Sequence, residues 1–129
     1  MNAKVKYWIE LAEYDLITAE AMLDAKRYLY VGFMCHQVIE KALKSALVSK
    51  FPEVYPPKIH NLHRLAEQAQ LLSELNDSQK ELLLKLEPLN IQARYPEHKE
   101  ALSKSLTGER CKELISQTKE LKQWIISKL

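Results

Sequence analysis

Apolar residues recur at steps of three and four along most of this chain, which is the repeat of an amphipathic α-helix. The first 25 residues show it most clearly, with apolar side chains at positions 5, 8, 9, 12, 16, 19, 22 and 23. No segment alternates apolar and polar residues in the way that a half-buried strand requires. Glycine, which weakens helices, occurs only twice among the 129 residues. The sequence therefore predicts an all-α protein.

The positions of the turns divide the first half of the chain into two long helices. We predict one helix from roughly Ala3 to Ala25 and a second from about Tyr30 to Ser49. Long helices joined by so short a turn pack antiparallel. Three prolines between Phe51 and Lys58 indicate that a loop follows, because proline lacks the amide hydrogen that helices and sheets use.

Capping residues mark the ends of the later helices. Asn61 is suited to cap a third helix, and the run Ser78 to Glu81 fits a capping box that starts a fourth. Pro88 should kink that helix or end it early. A short helix follows from about Glu97 to Lys104, and Thr107 is suited to cap a last long helix. We expect one domain, residues 1–129, folded as an antiparallel four-to-five-helix up-and-down bundle.

Charge is unevenly distributed, although the formal net charge is only +2. Residues 1–25 carry five acids against two lysines, whereas residues 26–64 carry seven basic residues against two acids. The basic centre is compatible with RNA or nucleotide contacts, and ordinary solvated helix faces account for it equally well.

The cysteine content and the length of the apolar runs indicate which cofactors and which cellular compartment to expect. Cys35 and Cys111 each fall on an apolar stripe and should be buried, since two isolated cysteines make neither a disulfide framework nor a zinc site. No run of about 18 apolar residues occurs, so we expect a cytoplasmic protein without a membrane span. Nothing in the sequence indicates a cofactor.

The second predicted helix carries a polar face with interleaved charges, made of Gln37, Glu40, Lys41 and Lys44. These residues lie three and four positions apart and so share one side of the helix. One interpretation is a surface stripe of ordinary ion pairs, each worth a few tenths of a kcal/mol. The other is a polar platform beneath a bound nucleotide or a partner chain. The spacing is compatible with both.

A second candidate site is the loop Arg94-Tyr95-Pro96, which a histidine, His98, follows closely. An arginine and a histidine four residues apart can hold a phosphate and move a proton, and Pro96 keeps a helix from carrying them apart. His98 could equally be an exposed first-turn residue of the short helix. Tyr95 could stack on a base.

The other histidines have more ordinary explanations. His60 and His63 flank a helix start, where capping or a core hydrogen bond is expected. His36 and Glu40 have the spacing of metal ligands, but two ligands are too few, so we expect no metal site.

Taken in order, several motifs resemble those of the HEPN family, the helical domains named for higher eukaryotes and prokaryotes nucleotide binding. The resemblance covers nearly the whole chain, and its weight lies in the order of the motifs. They are Trp8 with Ala12-Glu13-Tyr14-Asp15-Leu16, the turn Tyr28-Leu29-Tyr30, the run from Gln37 to Lys44, His60-Asn61-Leu62-His63-Arg64-Leu65, and Arg94-Tyr95-Pro96.

The resemblance implies an antiparallel helical bundle, like the substrate-binding subunit of a nucleotidyltransferase, that is frequently dimeric. Many prokaryotic members are encoded beside a minimal nucleotidyltransferase, with which they form a toxin–antitoxin or substrate-binding pair. We therefore expect a homodimer that partners such an enzyme and binds a nucleotide or RNA without strong catalysis of its own. The expected binding residues are Gln37, Glu40, Lys41, Lys44, Arg94 and Tyr95. The four leucines at 82–84 and 86 also favour a dimer, since one bundle face cannot bury them all.

Catalytic members of the family imply an alternative function. Many carry an Arg-x(4–6)-His motif that forms a metal-independent ribonuclease site, with Arg stabilising phosphate charge and His a candidate acid or base. In this chain three residues separate Arg94 from His98, and no other arginine precedes a histidine at the longer interval. The alternative is thus an endoribonuclease toxin with Arg94 and His98 as catalytic residues.

Overall fold

In a computed structural model the fold is described for residues 2–90 and 96–129, and side chains for residues 2–90 and 100–129. The described residues form helices and turns without any strand, which confirms the all-α prediction. In chain order the helices are α1 (Ala3–Asp24), α2 (Tyr28–Lys50), α3 (Leu62–Gln68), α4 (Asp77–Leu86), α5 (Pro96–Ser105) and α6 (Gly108–Ser127), with short 3₁₀ helices at Leu72–Glu74 and Glu87–Leu89. None of the described helices is long and apolar enough to span a bilayer.

Helix α2 forms the centre of the bundle. It packs along α1, and its other sides contact α3, α4, α5 and α6. Every residue from Ala42 to Val48 is buried as a result, and Ile39 and Leu43 are among the largest fully enclosed side chains. Both cysteines are buried as predicted, and burial raises the pKa of Cys35 to about 12. A helix surrounded in this way buries polar residues as well as apolar ones, among them Glu40 and Lys44.

Two helices end in a left-handed residue other than glycine. Lys26 after α1 and Gln70 after α3 both have φ of 59°. In each case a backbone amide beyond the helix reaches back five residues, from Arg27 to the Met22 carbonyl at 2.8 Å and from Leu71 to the Ala66 carbonyl at 2.9 Å. These bonds satisfy carbonyls that a helix end leaves open, and they turn the chain sharply.

Most of the predicted helix boundaries are confirmed to within two residues, and one is wrong. The segment Tyr28-Leu29-Tyr30, expected as a turn, is instead the beginning of α2. The side chains of Asn61 and Thr107 accept bonds from the amides of Arg64 and Arg110, at 2.9 and 3.2 Å, as N-caps should. Helix α4 stops at Leu86, and Pro88 lies in the 3₁₀ helix that follows it.

The boundary that was wrong is the start of α4, which lies before the predicted capping box at Ser78. Asn76 is the cap, and its side chain and that of Gln79 bond each other's backbone amides at 2.8 and 2.9 Å. Asparagine caps as well as serine, and Gln79 at the third helical position completes the box.

Gly32 is a point of close approach between α2 and two neighbouring elements. A Cβ atom at this position would lie 3.1 Å from Leu89 Cδ1 and 3.2 Å from Leu106 Cδ1. Leu89 ends the second 3₁₀ helix, and Leu106 directly follows α5. The missing side chain therefore lets both elements pack against α2 at once.

Candidate functional site

Two ion pairs attach α1 to its neighbours. The Lys41 ammonium on α2 donates to the carboxylate of Asp15, and the buried Lys122 ammonium on α6 donates to Glu13. Asp15 belongs to the motif Ala-Glu-Tyr-Asp-Leu and is itself buried. Each lysine is thus paired with a carboxylate and packs with its stem among apolar neighbours.

Glu40 on α2 is the centre of a larger group of charges. Its side chain is 4% exposed and bonds two partners, Lys44 Nζ at 3.1 Å from Oε2 and His60 Nδ1 at 2.9 Å from Oε1. Because a carboxylate only accepts hydrogen bonds, the His60 nitrogen carries the proton. Lys44 is 6% exposed, and its ammonium lies 5.5 Å from the ring centre of Trp8, within cation–π range.

The same group extends through His36 to the second 3₁₀ helix. His36 is fully buried, and its Nδ1 and Nε2 lie 3.9 Å from Glu40 Oε1 and Glu87 Oε1 respectively. Neither ring nitrogen makes a well-formed hydrogen bond among the described residues, although the Gln37 side chain and the His60 backbone are close enough to favour the charged ring. The Glu87 carboxylate accepts the backbone amide of Leu62, the first residue of α3. We refer to this set as the charge cluster; its members are Trp8, His36, Glu40, Lys44, His60 and Glu87.

The protonation state of His36 follows from its burial. Loss of solvent lowers the pKa of His36, and the nearby carboxylates of Glu40 and Glu87 oppose that effect without cancelling it. The ring is therefore neutral at pH 7, and the charge cluster holds two carboxylates together with the Lys44 cation. Among the described residues no three metal-binding side chains are placed to hold an ion.

This burial predicts a loss of stability in acid. The ordinary pKa of histidine is 6.5, and the folded value is lower, so below pH 6.5 the unfolded chain binds a proton that the folded chain excludes. We expect the free energy of unfolding to fall by up to about 1.4 kcal/mol per pH unit below that value. Urea unfolding between about pH 7.5 and 5.5 measures it.

Two matched variants show whether His36 is the histidine that causes this pH dependence. His36→Met should remove most of this pH dependence, whereas His63→Met, at an exposed position, should keep it. If the His36→Met protein loses stability in acid as steeply as wild type, the effect does not come from His36.

The structure places the predicted site residues of α2 in different surroundings. Glu40 and Lys44 belong to the charge cluster, and Lys41 faces Asp15 instead. Gln37 is partly buried, with an Oε1 that has no hydrogen-bond partner among the described residues. The interpretation of this face as a solvated surface stripe is wrong, because Glu40 and Lys44 lie inside the bundle. Whether these residues bind a ligand stays a prediction.

The loop residues lie outside what the structure describes. This applies to Arg94 and Tyr95 and to the side chain of His98. The hydrogen bond expected near the start of α3 is present between His60 and Glu40, with the carboxylate buried and the histidine half exposed. Glu87 was not predicted, although an isolated acid between Leu86 and Pro88 in a leucine-rich run could have indicated it.

The outer surface carries large apolar side chains that the bundle does not cover. On α1, Tyr7, Tyr14 and Ile17 are 56%, 71% and 66% exposed and lie seven and three residues apart, so they share one face. That face points away from the buried residues of the same helix. On α4, three of the four predicted leucines are buried and Leu84 is 69% exposed. We refer to Tyr7, Tyr14 and Ile17 as the α1 stripe.

The chain matches a protein-family model and resembles a solved structure. A family model described as "HEPN domain" matches residues 5–129. The chain is also similar to the crystal structure of TT1696 from Thermus thermophilus, with a TM-score of 0.82, 21% identity and complete coverage of both chains. At that identity the likeness concerns the fold alone. Comparison with curated proteins gives no match.

Proposed function

The chain belongs to the HEPN domain family, and we propose that it acts as a binding and assembly protein. In this proposal it pairs with a second copy of itself and with a minimal nucleotidyltransferase, and it holds a nucleotide or RNA for that enzyme. Arg94 and Tyr95 contact the phosphate and the base.

The α1 stripe is the observation that carries the proposal. Three large apolar side chains share the outward face of one helix, where a free-standing bundle would place polar residues. Exposed apolar groups rimmed by polar ones mark interaction sites, and covering them gains roughly 25 cal/mol for each Å² of apolar surface. Glu10 on the same helix is paired with Lys6, and Glu20 lies exposed beyond it, so the surface keeps an excess of acid that fits a partner with basic residues around an apolar centre.

The spacing of Arg94 and His98 favours binding over cleavage, because three residues separate them and the family's catalytic motif has four to six. Lys41 and Lys44 are both paired with carboxylates, and His36 is fully buried, so these side chains do not supply a substitute for that motif. Chelator-resistant cleavage of RNA by the purified protein, lost in both Arg94→Ala and His98→Ala, would contradict the proposal and identify an endoribonuclease.

Ile17→Glu tests the assembly. We expect the wild-type protein to sediment as a dimer at micromolar concentration, alone or bound to its nucleotidyltransferase. A carboxylate at the centre of a covered apolar face should raise the dissociation constant of one of these complexes by about tenfold or more. Ser116→Glu is the control, because Ser116 is exposed on the outer side of α6.

Two results would contradict the assembly proposal. One is a wild-type protein that remains monomeric at high micromolar concentration and does not bind the enzyme. The other is equal affinity in Ile17→Glu and Ser116→Glu for both partners.

A further inference from the structure

A cleft of about 470 Å³ lies between the end of α4, α5 and α6, and no residue of the charge cluster lines it. Its floor is apolar, and Leu89, Leu106 and Leu114 are buried there. Leu102 forms a half-buried wall, and the exposed Pro88 also lines the cleft. The rim is polar and consists of Lys85, Ser105, Arg110, Glu113 and Gln117. We refer to it as the α5 cleft. Its volume falls within the range of pockets that bind small molecules.

The charges on the rim are not balanced. Arg110 Nη1 donates to the backbone carbonyl of Ser105 at 2.9 Å, which holds the guanidinium beside the last residue of α5. The Glu113 carboxylate accepts from Gln117 Nε2 at 3.5 Å. Neither Lys85 nor Arg110 forms an ion pair with another residue in the described part of the chain. Two cations are thus available above an apolar floor.

We propose that the α5 cleft binds a small organic anion, whose apolar body fills the cleft and whose anionic group contacts Arg110 and Lys85. The leucine floor supplies the affinity for the apolar body, because contact removes that surface from water. Arg110 presents a planar set of donors that matches a carboxylate, phosphate or sulfonate, and its bond to Ser105 restricts its orientation in advance. The site goes beyond the assembly proposed above, since the α1 stripe contributes nothing to it.

A pair of fluorescent probes tests both halves of the site. 8-Anilinonaphthalene-1-sulfonate carries an apolar ring system and a sulfonate, and N-phenyl-1-naphthylamine has the same rings without the charge. We expect the sulfonate probe to bind with saturation at one site per chain, and its affinity to fall with added salt. Arg110→Gln and Lys85→Gln should each weaken it by about tenfold and leave the neutral probe nearly unchanged.

Two further variants complete the experiment. Arg64→Gln removes an exposed cation on α3 that does not line the cleft, so its affinity for both probes should equal that of wild type. Leu102→Trp places a larger side chain in the wall of the cleft and should weaken both probes together. Equal sulfonate affinity in wild type, Arg110→Gln and Lys85→Gln would overturn the proposal. So would binding without saturation, or weakening by Arg64→Gln as large as by Arg110→Gln.

Discussion

Replacing Glu40 with glutamine should lower the free energy of unfolding by about 3–5 kcal/mol, although the two side chains have nearly the same shape. The change removes the only negative charge within hydrogen-bond distance of Lys44 among the described residues, so that its ammonium is buried without a counter-charge and keeps the weaker contact with the Trp8 ring. Glutamine also offers His60 a weaker acceptor than a carboxylate. Urea unfolding at neutral pH measures the loss.

Two further variants show whether charge is the cause. Glu10→Gln breaks an exposed pair with Lys6, whose atoms are 3.9 Å apart, and should change stability by no more than about 0.5 kcal/mol. Adding Lys44→Met to Glu40→Gln removes the unpaired cation and should recover much of the loss. If Glu40→Gln is as mild as Glu10→Gln, the charge cluster contributes little to folding.

A second large effect is expected in α4, where two leucines two residues apart have opposite environments. Leu86 is completely buried, so Leu86→Ala should cost about 2–5 kcal/mol through lost burial and the cavity left behind. Leu84 is 69% exposed, and Leu84→Ala should stay within about 0.5 kcal/mol.

Both leucine variants are measured by urea unfolding of the monomer, below the concentration at which it associates. Similar losses of stability in the two variants would mean that α4 does not turn Leu86 toward the core and Leu84 toward solvent. A loss in Leu84→Ala that appears only at concentrations where the protein associates would instead place Leu84 in a contact between chains.

The elements that the sequence predicts well are those governed by local chemistry. Asn61, Thr107 and Pro88 act at the predicted helix ends because capping and the missing proline amide depend on a few neighbouring residues. The start of α4 was misplaced because Asn76 and Ser78 are both good caps, and only the completed bonds to Gln79 distinguish them.

The environment of α2 could not be predicted in the same way. The spacing of Glu40 and Lys44 places them on one face, but periodicity within one helix does not reveal how many other helices surround it. Here α3 and the second 3₁₀ helix cover the side on which they lie, so a stripe that resembles a solvated surface is buried. The partners His60 and Glu87 come from segments far along the chain, where no local pattern indicates the pairing.

The contact at Gly32 involves the two residues that bound the segment carrying Arg94, Tyr95 and His98, and not the segment itself. That segment runs between Leu89 and Leu106, and both leucines rest against the space that a side chain at position 32 would fill. Substitutions inside the segment can therefore alter its chemistry while its two anchors stay in place. An alanine at position 32 would displace both leucines by a few tenths of an ångström without replacing any residue of the segment. Leu89 and Leu106, which lie on either side of that segment in the chain, are thus both packed against a helix that precedes it.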